Sequence, residues 1–595
     1  MDVSIYHVPV FCDKITLKYK TFTFCNLLGE FMEILNNLKK ITEKNIEILT
    51  ILTLGIIFYL VFFHAIGTYP LMDVDETRYV SMARDMYNTK DFLTLFLNGE
   101  FFFEKPPLYF WQECLSFALW GKVSEWSARF PVALLGFLFS YIVYFTFKKI
   151  VNRGFGVVAS LVLATSLEFI ILAKYAILDI VLTFYIGLAL IVYFQTFFCQ
   201  EKNKKYFWWL FYLFSGLAVM SKGVPGFVVP FGVAFFCSII ARRFKENFRP
   251  IYMLPGILVF LLSVLPWHIV MFIKHNPLFY EEYIVKHHLH RFLNTENNEI
   301  GRKQPFYYYF VVILWGFVPW IFSFVGVLVQ KLKNIKNLDL MSKIKTFDFE
   351  KLDNRGKILT LSWVCLLFIL LFYSASSTKL VTYILPVYFP LAIITASFWD
   401  DYINKKQYEK TINLTVKIFG WLCAIAGFAA IFTQYYLPAQ LNADISDAKI
   451  VTIVCLLSFG IGTLLCLKYK KYIGIFICYV LFMAFISGFA TDKFFKIDYK
   501  FGQQDLIEFA QYAKENDYTI SSFGMHRKYS LIYYNDKKAD YNESYEISKE
   551  LLEEDLNKEN NIVIVKNKDL LNVENAEYKI IKTGRRYTML KSKDK

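Results

Sequence analysis

The 595-residue sequence predicts a polytopic α-helical membrane protein with a small C-terminal α/β domain. Three observations lead there. The chain is 56% hydrophobic and only 19% charged, with a mean hydropathy of +0.38. Apolar runs of roughly 20 residues, the length that crosses a bilayer core, recur about thirteen times. After about residue 491 the runs stop, and mixed charge with helix and strand patterning takes over.

The spans lie near 47–66, 130–147, 155–173, 177–198, 207–221, 224–240, 252–273, 306–329, 358–375, 380–398, 414–435, 450–467 and 472–490. Alternate loops between them are basic: Lys148/Lys149/Arg153, Lys202/Lys204/Lys205, Arg242/Arg243/Lys245/Arg249, Lys331 to Lys357, Lys405/Lys406/Lys410 and Lys468/Lys470/Lys471. Basic loops mark the cytoplasmic side, which puts the N-terminus inside and the remaining loops outside. The +14 formal charge is thereby spent on orientation rather than gathered in one patch, so nucleic acid is not an expected partner. The ten cysteines are scattered, without CxxC pairs or disulfide-framework spacing, and read as packing or lipid-facing thiols.

Three segments follow. Residues 1–45 form an N-terminal cytoplasmic segment without an apparent cleavable signal, and Met32 is an alternative start. Residues 46–491 form the membrane domain, with outer loops 67–129 and 274–305. Residues 492–595 form the outer α/β domain. The 67–129 loop carries Trp111, Trp120 and Trp126 and predicts interfacial helices lying on the bilayer. In the tail, "DLIEFAQYAKE" has helical spacing, while "NIVIVK" and "YKIIKTGRRYTML" read as a strand and a hairpin. With no catalytic-looking cluster, the tail is assigned a packing or lid role.

Ionisable residues at membrane depth are costly unless paired or facing a cavity, which makes them functional candidates. Here nearly all fall on the outer side: Asp73, Asp75, Glu76, Arg78, Glu104, Lys105, Asp179, Lys222, His287, His288, His290, Arg291 and Lys379. One outer-facing cavity lined by both signs of charge would account for them together.

Each stretch has a plain and a sharper reading. In "DVDETRY", Asp75 or Thr77 caps a helix starting near Arg78, or a carboxylate stabilises positive charge on a reacting sugar or activates a nucleophile. A cap needs one acidic residue and the stretch has three. In "FEKPP", Pro106–Pro107 forces an extended or turning backbone. Flanking aromatics then present Lys105 at an apolar surface, where a cation meets a lipid phosphate. Asp179 in "AILDIVL" is a helix cap or a site carboxylate. Lys222 in "MSKGVPG" snorkels to headgroups or binds phosphate. "VKHHLHRF" has histidine spacing that suits zinc but no full ligand set, and Arg291 suits bidentate phosphate contact. Lys379 and Tyr383 in "SSTKLVTYILP" direct another cation and a hydroxyl to the same side. There is no Walker A sequence and no GxGxxG. An enzyme outside the cytoplasm must draw on a donor already in the membrane, such as a sugar on a polyprenyl phosphate. Departure of that phosphate calls for cations, and a developing oxocarbenium ion calls for a carboxylate.

"DVDETRY", "FFFEKPPLYFW", "SARFPVALLG", "AILDIVLTF", "LAVMSKGVPG", "PWHIV", "HHLHRF", "KQPFYYY" and "STKLVTYILP" occur in this order. In these motifs the chain resembles the bacterial aminoarabinose lipid A transferases of the GT-C superfamily, relatives of the protein O-mannosyltransferases. The resemblance covers about residues 50–400 in detail. It implies the GT-C fold, Asp75 as the catalytic carboxylate and Arg78 beside it in the sugar or phosphate site. It implies Lys105 as a ligand of the carrier phosphate, and Asp179, Lys222, Arg291 and Tyr383 lining the donor cavity. It also implies Glu104 at a bound divalent metal such as zinc, with His288 as a candidate partner ligand. The chain departs from the family at His287, where the pattern has Glu, and at Phe102, where an aromatic hydroxyl is common.

The expected activity is inverting transfer of an amino sugar, aminoarabinose-like, from undecaprenyl phosphate to a lipid A phosphate. It would take place at the periplasmic face of the bacterial inner membrane and weaken the binding of cationic peptides such as polymyxin. The rivals are transfer of another sugar, hexosamine or mannose, to lipid A, another glycan or protein, and a lipid or sugar transporter. A transporter calls for charge or broken helices near mid-bilayer and for internal repeats, neither of which is visible.

Overall fold

The computed structural model describes residues 43–290, 304–335, 347–376, 378–436, 445–542, 549–573 and 577–593, with the backbone alone at 284, 287–290, 334–335, 434, 549–551 and 571–573. The chain divides into a unit ending at Ile56 and a second unit, Ile57–Lys595, which holds everything discussed below.

All thirteen apolar stretches are helical. Among the described residues nine helices have the length and apolarity of membrane spans, and Arg153–Ala164 and Pro225–Ile240 are shorter apolar helices. The protein is a multi-pass helical membrane protein. Several predicted spans are not single rods. The 155–173 stretch breaks between Arg153–Ala164 and Leu167–Leu172, where the Ser166 hydroxyl turns back to the Val162 carbonyl at 2.7 Å. The 306–329 stretch breaks between Tyr308–Gly316 and Ile321–Ile335, at Pro319, which supplies no backbone donor. The 380–398 stretch opens as a 3-10 turn, Val381–Val387, before Tyr388–Lys405.

Burial separates inner from peripheral helices. Leu178–Gln195 and Val381–Lys405 are packed on nearly all sides, whereas Pro250–His275 and Ser446–Lys468 expose rows of Leu, Ile and Val. All-round apolarity in the first pair reflects packing within the bundle, and in the second a lipid-facing surface. The eight described cysteines are free, and five of them are buried.

The 67–129 loop contains the expected helices, Asp75–Thr89 and Leu108–Trp120, joined through a two-stranded hairpin, β1 (Phe96–Leu97) and β2 (Glu100–Phe101). Gly99 turns the hairpin at φ +81°, and Pro107 occupies the N-cap of the second helix.

The Tyr472–Gly502 helix runs through residue 491, so the α/β module begins at Gln504–Glu515. Its sheet comprises β3 (Thr519–Phe523), β4 (Ala539–Asn542), β5 (Asn561–Lys566), β6 (Tyr578–Thr583) and β7 (Tyr587–Ser592), in the order β4-β3-β5-β7-β6. The β3–β4 and β3–β5 pairs are parallel, and β7 is antiparallel to both β5 and β6. "NIVIVK" is uninterrupted because β5 is covered on both faces. Ile562 and Ile564 pack with Leu506 and Phe509 of one helix, while Val563 and Val565 pack with Leu552 and Leu556 of another.

One buried ion pair ties the outer loop to the bundle. Arg129, in the Glu125–Ile150 helix, donates through Nε and Nη2 to the two Glu76 oxygens at 2.8 and 2.7 Å. Nη1 donates to the Ile66 and Tyr69 carbonyls, both at 2.8 Å, and Nη2 to Pro70 at 2.7 Å. Glu76 also accepts the Met72 amide at 2.9 Å and the Ala176 amide at 2.7 Å. All five guanidinium donors and both faces of each carboxylate oxygen are thereby used, which is what a pair with no solvent exposure requires.

Glu76→Gln leaves Arg129 charged and buried without its partner, a loss of about 3–5 kcal/mol. The expected result is a collapse of detergent-solubilised folded yield and a sharply lowered Tm; a wild-type Tm would show that the pair is not the anchor.

Candidate active site

The acidic stretch at 73–76 divides its labour. Asp73 is turned toward the C-terminal module, and Glu76 is consumed by Arg129. Asp75 is left half exposed, with Arg78 Nη2 at 3.1 Å. The expected cap does not form: the helix begins at Asp75 itself, with Val74 at the N-cap and no side-chain cap. The Thr77 hydroxyl donates to Asp73 at 2.6 Å instead. Asp75 thus sits in the first helical turn, where the helix dipole favours an anion.

Arg78 also donates to the Tyr79 hydroxyl at 2.8 Å and stacks 4.7 Å from its ring. Burial works against the Arg78 charge, but Tyr79, Asp75 and Glu104 outweigh it and hold the guanidinium firmly protonated. Burial raises the pKa of Tyr79; Arg78 opposes the rise, and the charges of Asp75, Asp179 and Glu104 add to it. Tyr79 therefore keeps its proton at the point where these charged groups converge.

A second pair lies in the same neighbourhood. Asp179, in the first turn of Leu178–Gln195, makes no cap bond and instead meets Lys222 Nζ at 2.5 Å. Lys222 is not in a loop: it is the last residue of Glu201–Lys222, with Gly223 at φ +93° reversing the chain after it. Its ammonium lies 4.2 Å from the centre of the Tyr383 ring. Three residues singled out from separate motifs, Asp179, Lys222 and Tyr383, therefore form one cluster.

The other candidates are placed differently. Glu104 lines a cavity, while Lys105 is buried and turned back on its neighbour, donating to the Glu104 carbonyl at 3.2 Å. The apolar flank expected to push Lys105 toward lipid encloses it instead. Lys379 donates to the carbonyls of Gln304, at 3.0 Å, and Ser376, closing the turn before Val381–Val387. Arg291 and the side chain of His288 lie outside the described residues. Among the described residues no three His, Cys, Asp or Glu side chains converge to hold a metal, so no step is assigned to one. His268 of "PWHIV" is engaged with the Tyr283 hydroxyl at 3.1 Å.

Arg78, Phe101–Phe103 and Glu104 form one side of a cavity of 970 Å³. Arg527, Tyr529 and Tyr541 of the C-terminal module line it as well. Sequence reasoning missed these three, because nothing in the tail's pattern announces where it docks. It also passed over Arg129 in "SARFP", although an Arg at the head of an apolar span is itself a signal. Phe102, the departure from the family pattern, is a buried wall residue that brings no hydroxyl to the cavity.

The family described as dolichyl-phosphate-mannose-protein mannosyltransferase matches residues 47–276. An uncharacterised protein of Aquifex aeolicus is 30% identical over 383 residues, 64% of this chain and 69% of that one. The undecaprenyl phosphate-alpha-4-amino-4-deoxy-L-arabinose arabinosyl transferase of Edwardsiella ictaluri is 27% identical over 385 residues, and the match spans 64% of each chain. Among solved structures, ArnT from Cupriavidus metallidurans bound to undecaprenyl phosphate superimposes with a TM-score of 0.73 over 92% of this chain and 98% of that one, at 17% identity. The helical membrane bundle has the fold of that structure, and the family match and the curated relatives make the chain a glycosyltransferase. The chain belongs to the GT-C family that joins the aminoarabinose transferases to the protein mannosyltransferases. It spans 64% of the length of the Edwardsiella arabinosyl transferase.

Asp179 and Lys222 are coupled through a short bond between nearly buried side chains. A double-mutant cycle of Asp179→Asn and Lys222→Met, read by thermal unfolding, is expected to give a coupling energy of at least about 1 kcal/mol; additive effects would show the pair to be incidental.

Proposed function

We propose that this protein transfers an amino sugar, aminoarabinose or a close relative, from undecaprenyl phosphate to a phosphate of lipid A. The reaction takes place at the periplasmic face of the bacterial inner membrane. The observation that carries the reading is two carboxylate–cation pairs: Asp75 with Arg78 at 3.1 Å, beside the cavity that Arg78 and Glu104 line, and Asp179 with Lys222 at 2.5 Å against the Tyr383 ring. The relatives named for undecaprenyl phosphate-linked aminoarabinose support the donor, and the segregation of basic loops away from this end supports the outer face.

The chemistry is a single displacement. An oxygen of the acceptor phosphate attacks C1 of the sugar, and the bond from C1 to the carrier phosphate oxygen breaks. The electron pair leaves with undecaprenyl phosphate. The acceptor is already an anion at neutral pH, so no proton need be removed. Asp75 orients the sugar and stabilises positive charge at C1, while Arg78 and Lys222 balance charge on the departing phosphate. Lys105, Lys379 and Tyr383 complete the donor-phosphate environment, the first two through the loops they fix. Metal assistance through Glu104 and His288 is assigned no step.

A second reading keeps the reaction and changes the sugar to a hexosamine or mannose. It is favoured by Phe102, which lacks a hydroxyl at the cavity wall, and by the match to the mannosyltransferase family.

Mass spectrometry of lipid A from cells lacking the gene, complemented with wild type or Asp75→Asn, separates these readings. Wild type is expected to restore an aminopentose-sized increment and Asp75→Asn to lose at least about 100-fold of it. A hexose- or hexosamine-sized increment selects the second reading, and unchanged lipid A in all three strains excludes lipid A as the acceptor.

A further inference from the structure

The turn that presents Asp75 is gripped from the C-terminal module. Asp73 Oδ1 accepts the Ser530 amide at 2.9 Å and the Thr77 hydroxyl at 2.6 Å, and Oδ2 accepts the Ser530 hydroxyl at 2.6 Å. The Asp73 amide donates to Gln503 Oε1 at 2.9 Å, and Gln503 Nε2 donates to the Leu71 carbonyl at 2.8 Å. Ser530 is fully buried at the start of the Ser530–Asn535 helix. Its neighbours Arg527 and Tyr529 line the same cavity as Arg78 and Glu104, and Tyr529 lies within reach of both those charges.

We propose that Ser530 is a positioning residue for sugar transfer: it holds both oxygens of Asp73 and so fixes the turn from which Asp75 and Arg78 project. The proposal rests on the transferase reading above. It makes the C-terminal module a working wall of the site rather than a lid over it.

The bond is not needed for adhesion. The module is already attached through Arg84, which donates to the Tyr533 carbonyl at 2.7 Å and pairs with Asp536 at 3.0 Å. The Tyr534 hydroxyl adds bonds to the Leu71 amide at 3.0 Å and Glu125 at 3.1 Å. Ser530 differs in acting on a charged group two residues before Asp75. Loss of the hydroxyl leaves Oδ2 without its donor and Asp73 held through Oδ1 alone, which loosens the turn that anchors Thr77. Glu76, locked on Arg129, keeps the rest of the helix in place. The displacement is confined to the catalytic end, where an error of about 1 Å is enough to depress turnover strongly.

The test compares Ser530→Ala, Ser530→Thr and the docking control Arg84→Met in the full-length purified protein. Undecaprenyl phosphate-linked aminoarabinose and lipid A are the substrates. Ser530→Ala is expected to lower kcat about tenfold or more, the scale of a lost hydrogen bond to a charged group, with KM for the donor little changed. Backbone amides of residues 72–78 should exchange with solvent faster by a similar factor. Ser530→Thr retains a hydroxyl and should retain most turnover. Arg84→Met should lower Tm while leaving kcat within about twofold of wild type. Unchanged turnover and exchange in Ser530→Ala overturn the proposal, as does an equal loss of kcat in Arg84→Met. If wild type transfers no sugar from this donor, the transferase reading fails, and exchange in the 72–78 turn still decides whether Ser530 fixes it.

Discussion

The structure of the outer end depends on a single buried ion pair. Glu76 and Arg129 have no solvent exposure, so neither can be tolerated without the other and without the backbone groups that use up their remaining bonds. Those groups come from three places in the chain: Ile66 in the turn after the first described helix, the turn at 69–72 and the connection at Ala176. One pair therefore fixes how the 67–129 loop leaves the preceding helix and how its first helix is rotated. Successive helical residues are about 100° apart. With Glu76 fixed on the buried side, Asp75, Arg78 and Tyr79 at i, i+3 and i+4 share one face, and Arg78 lines the cavity.

The remaining charges follow a consistent logic. Three acidic residues near this end are matched to a cation or to several donors: Asp75 to Arg78, Asp179 to Lys222, Asp73 to Ser530 and Thr77. In an environment poorer in water than the surface, charges survive only in such arrangements. The pairs differ in what they leave over. Glu76 has no bonding capacity left and can only hold structure. Asp75 is half exposed and Arg78 faces a cavity, so both can still meet a substrate. Lys222 lies between a carboxylate and an aromatic face, where an arriving phosphate would compete with Asp179 for the ammonium.

Much of this was legible in the sequence because the signals were local. Apolar length gave the membrane helices. Helix and strand periods gave the tail its helix at Gln504–Glu515, β5 and the β6–β7 hairpin. Asp179, Lys222 and Tyr383 were visible as polar residues at span ends, and the structure gathers them. What failed was local reading of residues whose partners are distant. Asp73 and Glu76 looked like neighbours of Asp75 in function and proved to be structural, because Ser530 and Arg129 lie far along the chain. Lys105 was expected at an apolar surface and Lys379 among the cations directed to the site, and both are folded back onto backbone carbonyls. The tail's cavity residues Arg527 and Tyr529, and Ser530 beside them, carry no pattern until the module is docked.

The central claim is that the cluster around Tyr79 and Lys222 is the site for a lipid phosphate carrying a sugar. The most direct test is labelling of the purified protein with a photoreactive undecaprenyl phosphate, followed by peptide mapping. The account predicts label in peptides containing residues 73–79, 101–109, 179–185, 222–226 and 379–383, suppressed by excess unlabelled undecaprenyl phosphate. Label confined to the lipid-exposed faces of Pro250–His275 and Ser446–Lys468, and not suppressed by the unlabelled lipid, would contradict it.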